Sequence, residues 1–192
     1  MLYMTPWGTP QQQVCVAPGV TRLSTPSHGG YHLDAAATAA LPPGLAGFET
    51  FAGGDGVGGR WFEEDEDWCV VALAFPQLFD PYEVWCALRT FDCCARTLPR
   101  YAAAKAGFTG RARDEAEGVA AAWFAEHRDH WRLAGYGCGS GSGWVASYEH
   151  LSSGELVQRE VSAAEFCGLP AVVAELPGVS FARAPRDAAA AT

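Results

Sequence analysis

Two short stretches concentrate the residues that could do chemistry. The first is Ser27-His28-Gly29-Gly30-Tyr31-His32. The second is Glu63-Glu64-Asp65-Glu66-Asp67, five carboxylates in succession. An imidazole titrates near neutrality, so His28 on a glycine-rich loop suits a general acid or base. Crowded carboxylates push one another's pKa apart and can divide the acid and base roles. His28 with Glu64 and Asp65 would then be the catalytic set of a small acid/base or metal-assisted hydrolase. His28 and His32 are four apart, hence on one face of an extended segment. With nearby carboxylates, these two are candidate ligands for zinc, iron or manganese, and no other cofactor is implied. The acids also suit a different task. Five carboxylates exceed what a helix start needs to balance its dipole. Ser27, His28, Glu63, Glu64, Asp65 and Asp67 would together make an anionic face for a basic protein surface.

The remaining constellations are weaker. His127 and His130 stand at i, i+3 beside Glu126 and Asp129, but not in H-E-x-x-H spacing. Gly54, Gly56 and Gly59 match G-x-G-x-x-G formally. No buried strand is expected before them, and acids follow where a pyrophosphate would need a positive helix start. The only lysine, Lys105, does not follow a glycine, which excludes a Walker A loop. The Gly139–Gly143 run does not centre a serine in G-x-S-x-G. Cys138 with His150 pairs a nucleophile and a base by residue type alone.

These residues need a frame. Val14–Val16, Ala17-Pro18-Gly19 and Val20–Ser24 read as strand, type II turn, strand. Tyr31–Leu33 is a third strand. Asp34 caps a short helix over 35–40 that Pro42-Pro43-Gly44 stops. The acidic pentad reads as the start of a helix with Trp68, Val71, Ala72 and Phe75 on one face, ended by Pro76. Asp80-Pro81 opens another helix, with Val84, Trp85, Leu88 and Phe91 inward. Residues 96–110 are irregular. Asp114 caps a third helix that runs to about Trp131. Leu133–Tyr136 is a strand, Trp144–His150 and Leu156–Val161 form a hairpin, and Ser162-Ala163-Ala164-Glu165 is a capping box. The expected fold is α+β: one antiparallel sheet, made of an N-terminal meander and a C-terminal hairpin, packed with central helices. It forms a single domain over 1–183 with a frayed tail over 184–192.

Composition bounds the function. Seven Trp, ten Phe and six Tyr in 192 residues exclude disorder. The densest apolar run, Trp68–Phe75, is far too short to span a bilayer. The opening MLYMTPWG is not a secretory signal. The net charge of −9 carries no basic stripe for nucleic acid, and anionic lipid would repel it. Seven cysteines without C-x-x-C spacing suit reduced thiols in the cytoplasm.

Three segments together carry a resemblance: Thr5-Pro6-Trp7-Gly8, Ser24–Leu33, and Trp61–Asp65 followed by Asp67-Trp68 and Val71–Pro76. The set resembles an uncharacterised family of small bacterial proteins often encoded on plasmids and phages of proteobacteria. The similarity covers the first 80 residues or so. It implies an accessory role in a mobile element and draws attention to His28, Glu63, Glu64 and Asp65. The chain departs from that family by extra glycines at 53–59. The leading expectation is an acidic accessory protein that docks a basic protein surface, such as the nucleic-acid channel of a host defence complex. The alternative is the hydrolase built on His28.

Overall fold

A computed structural model describes residues 5–48, 50–52, 59–138, 143–176 and 182–183. The chain divides into two compact units, Met1–Trp123 and Phe124–Thr192, where the sequence reads as one domain. The glycine run at 53–58, residues 139–142 and the tail at 184–192 lie outside the described residues.

The first unit opens with the expected meander. Strands β1 (Gln12–Ala17), β2 (Val20–Ser24) and β3 (Gly29–Leu33) pair antiparallel in succession. Gly19 turns the first pair at φ +80°, which only glycine adopts freely. Asp34 accepts a hydrogen bond from Ala37 N–H and so caps α1 (Ala35–Ala39). The prolines that end α1 also start something. Pro43 stands at the first position of α2 (Pro43–Ala46), where its missing N–H has no partner to lose.

Two further strands, β4 (Phe51–Ala52) and β5 (Arg60–Glu63), complete the sheet in the order β1-β2-β3-β5-β4. β5 corrects the sequence reading. Trp61 and Phe62 are almost fully buried, and Glu63 ends a strand instead of starting a helix. The helix itself, α3 (Trp68–Ala74), is shorter than expected and is buried on every side from Cys69 to Leu73. A helix enclosed on all sides carries no one-faced pattern. Pro76 begins a single 3-10 turn. α3 packs against β3 and β5 on one side and α4 (Pro81–Thr97) on the other. Asp80 and Glu83 form a complete capping box at the start of α4. Residues 99–107, read as irregular, form α5 (Pro99–Gly107). Its Tyr101 ring packs edge-on against Phe48 and Phe91. α6 (Arg111–His127) buries Ala116, Ala120 and Trp123, and Trp123 meets Tyr82 and Trp85. Asp114 lies in its first turn and is not its cap.

The second unit holds its own antiparallel sheet, order β10-β8-β7-β6-β9. β6 (Trp131–Cys138), β7 (Trp144–His150) and β8 (Leu156–Val161) form its centre, with β9 (Val172–Val173) and β10 (Ala182–Arg183) as short edges. Ser162 and Glu165 complete the capping box of α7 (Ala163–Phe166). Ala146, Tyr148 and Val161 make a small core with Trp131, Leu133, Trp144 and Phe166 around it. The class is α+β as expected, but the meander and the hairpin belong to two sheets and not one. Among the described residues no helix is long and apolar enough to cross a membrane.

Candidate functional site

His28 is held by its own backbone. Thr25 Oγ1 donates to the His28 carbonyl at 2.8 Å and accepts from the His28 N–H at 3.1 Å. The Thr25 N–H reaches the same carbonyl at 2.6 Å. Thr5-Pro6-Trp7-Gly8 folds alike, with Thr5 Oγ1 donating to the Gly8 carbonyl at 2.8 Å. A threonine hydroxyl closing on the backbone makes such a turn rigid without tertiary help. The turn leaves Ser27 and His28 exposed at the start of β3.

Sheet register then delivers the acids. β3 pairs with β5 so that Gly30 faces Glu63, and the Glu64 N–H donates to the Gly29 carbonyl at 3.1 Å. Gly30 permits the backbone approach, and Gly29 leaves room for the Glu64 side chain. A Cβ on Gly29 would lie 2.3 Å from Glu64 Oε2. One on Gly30 would lie 2.2 Å from the Phe62 carbonyl and 2.5 Å from the Trp7 ring. After β5 the chain turns. Glu63 Oε2 accepts from the Asp65 N–H at 2.9 Å and the Glu66 N–H at 3.1 Å. The turn brings Asp65 back beside Glu63. His28, Glu63 and Asp65 each offer a ligand atom within 4.8 Å of the other two. Among the described residues they are the one such trio of His, Cys, Asp or Glu. Partial burial pushes the Glu63 carboxyl above its usual range; the two backbone donors oppose that, and the neighbouring Asp65 adds to it.

Glu64 is exposed and folds over Gly29. It lies outside the trio, so of the set His28, Glu64 and Asp65 expected from the sequence the fold brings together His28 and Asp65, with Glu63 beside them. His32 is 4% exposed and its ring lies 4.4 Å from that of Trp61. Four residues along a strand span about 13 Å, so sharing a face does not make His28 and His32 co-ligands. Asp67 is only 1% exposed and belongs to no docking face. It accepts from Arg100 Nη2 at 2.9 Å and from the Tyr101 hydroxyl at 2.8 Å. Arg100 also lies 3.5 Å from Glu66. Two of the five acids are thus paired with a cation of the chain, Glu63 is half-buried on its two backbone donors, and Glu64 and Asp65 are exposed. Burial raises the Asp67 carboxyl above its ordinary value, opposed by the Tyr101 hydrogen bond and by Arg100. It also raises the Tyr101 phenol and the Cys69 thiol, so both stay neutral. Nothing in sequence spacing marks Arg100 or Tyr101, which stand 33 and 34 residues from Asp67.

Residues 1–131 match the model of a domain of unknown function, DUF7007. The chain belongs to this family. The whole of the site, from Trp7 to Tyr101, falls inside the DUF7007 segment, whereas β7, β8 and α7 lie beyond it. No curated protein and no solved structure matches the chain.

Proposed function

We propose that the DUF7007 segment is a divalent-cation module whose ligands are His28, Glu63 and Asp65. One observation carries this: an imidazole from one turn and two carboxylates from another offer ligand atoms within 4.8 Å of one another. Bonds of about 2.1 Å hold ligands of one ion some 3–4 Å apart. His28 and Asp65 are exposed, so their side chains have room to turn toward a shared ion. One nitrogen and two oxygens suit zinc, manganese or iron and leave coordination positions free. An ion held by these three residues would supply Lewis acidity for metal-assisted hydrolysis. The test is titration of Mn²⁺ and Zn²⁺ into the full chain by calorimetry. One ion should bind per chain, and His28→Ala or Asp65→Asn should weaken it by about tenfold or more. Glu64→Gln should change little. A wild-type chain that takes up neither ion ends the proposal.

A second function draws on a separate observation. Glu64 and Asp65 are exposed on one turn of a chain of net charge −9. An anionic face of this kind suits docking to a basic protein surface. In that role the protein is an accessory factor of a mobile element that blocks the nucleic-acid channel of a host defence complex. Glu64→Arg with Asp65→Arg should abolish capture of such a complex while folding persists. Unchanged capture excludes it.

A further inference from the structure

Asp67 occupies the N-cap position of α3, yet its side chain makes no cap hydrogen bond. An aspartate there ordinarily satisfies a free helix N–H, worth about 1 kcal/mol. Here the carboxylate turns away and is buried, with Oδ1 on Arg100 and Tyr101 and Oδ2 without a hydrogen-bond partner. Buried ion pairs are poor stabilisers, because desolvation offsets most of their attraction. What this one does supply is position. The turn that carries Glu63 and Asp65 is anchored at its first residue by the β3–β5 register. Its last residue is anchored by Asp67 to the start of α5. Arg100 reaches Glu66 as well, and its guanidinium lies 5.4 Å from the Phe48 and Tyr101 ring centres. Between those two anchors lie Glu64, Asp65 and Glu66, and the Asp65 and Glu66 N–H groups close the turn on Glu63.

We infer that Asp67, Arg100 and Tyr101 are positioning residues that set the spacing of Glu63 and Asp65 against His28. The inference rests on the cation site for its ligand but not for its geometry. Removing a group hydrogen-bonded to a metal ligand typically weakens binding 10–100-fold; Arg100 and Tyr101 act on the same turn through Glu66 and Asp67, which puts them at the low end of that range. Mn²⁺ affinity of the full chain is therefore measured by electron paramagnetic resonance for wild type, Arg100→Ala, Arg100→Lys and Tyr101→Phe. The His28 ring signals are recorded by NMR on the same proteins without metal. Arg100→Ala and Tyr101→Phe should each weaken Mn²⁺ by about tenfold or more and move the His28 ring signals. Arg100→Lys should restore part of both. If Arg100→Ala unfolds, Tyr101→Phe keeps the ring in place and carries the test. Lower melting temperatures with unchanged affinity and unmoved His28 signals overturn the inference. If wild type binds no Mn²⁺, the cation site falls, and the His28 signals alone decide the clamp: moved in Tyr101→Phe supports it, unmoved overturns it.

Discussion

Asp67 and Asp80 stand at the starts of consecutive helices and behave in opposite ways. Asp80 is exposed, accepts from the Tyr82 N–H at 2.8 Å, and completes a box with Glu83. Everything it needs lies within three residues. Asp67 is buried, caps nothing, and spends its carboxylate on α5. The same residue type at the same helix position thus does local work in one place and long-range work in the other. Burial makes the difference. An exposed carboxylate takes the nearest free N–H, whereas a buried one must find charge compensation wherever the fold supplies it.

The largest expected effect is at the buried member. Asp67→Ala leaves the Tyr101 hydroxyl without its acceptor and Arg100 with Glu66 alone. It should cost about 3 kcal/mol in urea unfolding, the low end for a broken buried pair because Arg100 is partly exposed. Asp80→Ala should cost about 1 kcal/mol, the ordinary worth of a cap. Equal losses would erase the contrast between the two helix starts.

Acid should sharpen that contrast. Burial raises the Asp67 carboxyl in the folded state above its unfolded value. Its contribution is therefore complete below the ordinary carboxylate pKa and fades as pH rises through the folded value. Glu165, in the capping box of α7, is shifted the other way by its hydrogen bonds from Ser162 and by Arg159. Its contribution is present at neutral pH and is lost as pH falls through the lowered value. Unfolding of wild type, Asp67→Asn and Glu165→Gln between about pH 3 and about pH 7 reads both. Acidification should favour wild type over Asp67→Asn and narrow its margin over Glu165→Gln. The Glu165 change should be the smallest of all, since that group is exposed.

The same contrast governs which features are legible in the amino-acid sequence. The Pro18-Gly19 turn, the Asp34 cap, the Asp80-Pro81 helix start, the Ser162 box and the β7–β8 hairpin are all legible. Each depends on partners a few residues away. His28, Glu63 and Asp65 were all legible as candidates, since their types and crowding stand out. That Glu63 and not Glu64 joins His28 was not legible. It follows from strand register, because a one-residue slip would send the other side chain to that face. β5 was hidden as well, since the acids after Trp61-Phe62 imitate a helix start. The α5 segment lacks a capping side chain, so its sequence reads as irregular. Packing against α2 and α4 holds it as a helix.

Residue order alone settles the α+β class, the local turns and caps, and an acidic chain that carries one histidine-bearing loop. These are nearest-neighbour properties, set by φ preferences, short hydrogen bonds and apolar spacing. Tertiary structure decides the rest: which acid meets His28, which acids Arg100 takes from solvent, and which aspartate becomes an anchor. Those outcomes depend on groups tens of residues apart, and only burial and pairing register bring such groups within bonding distance.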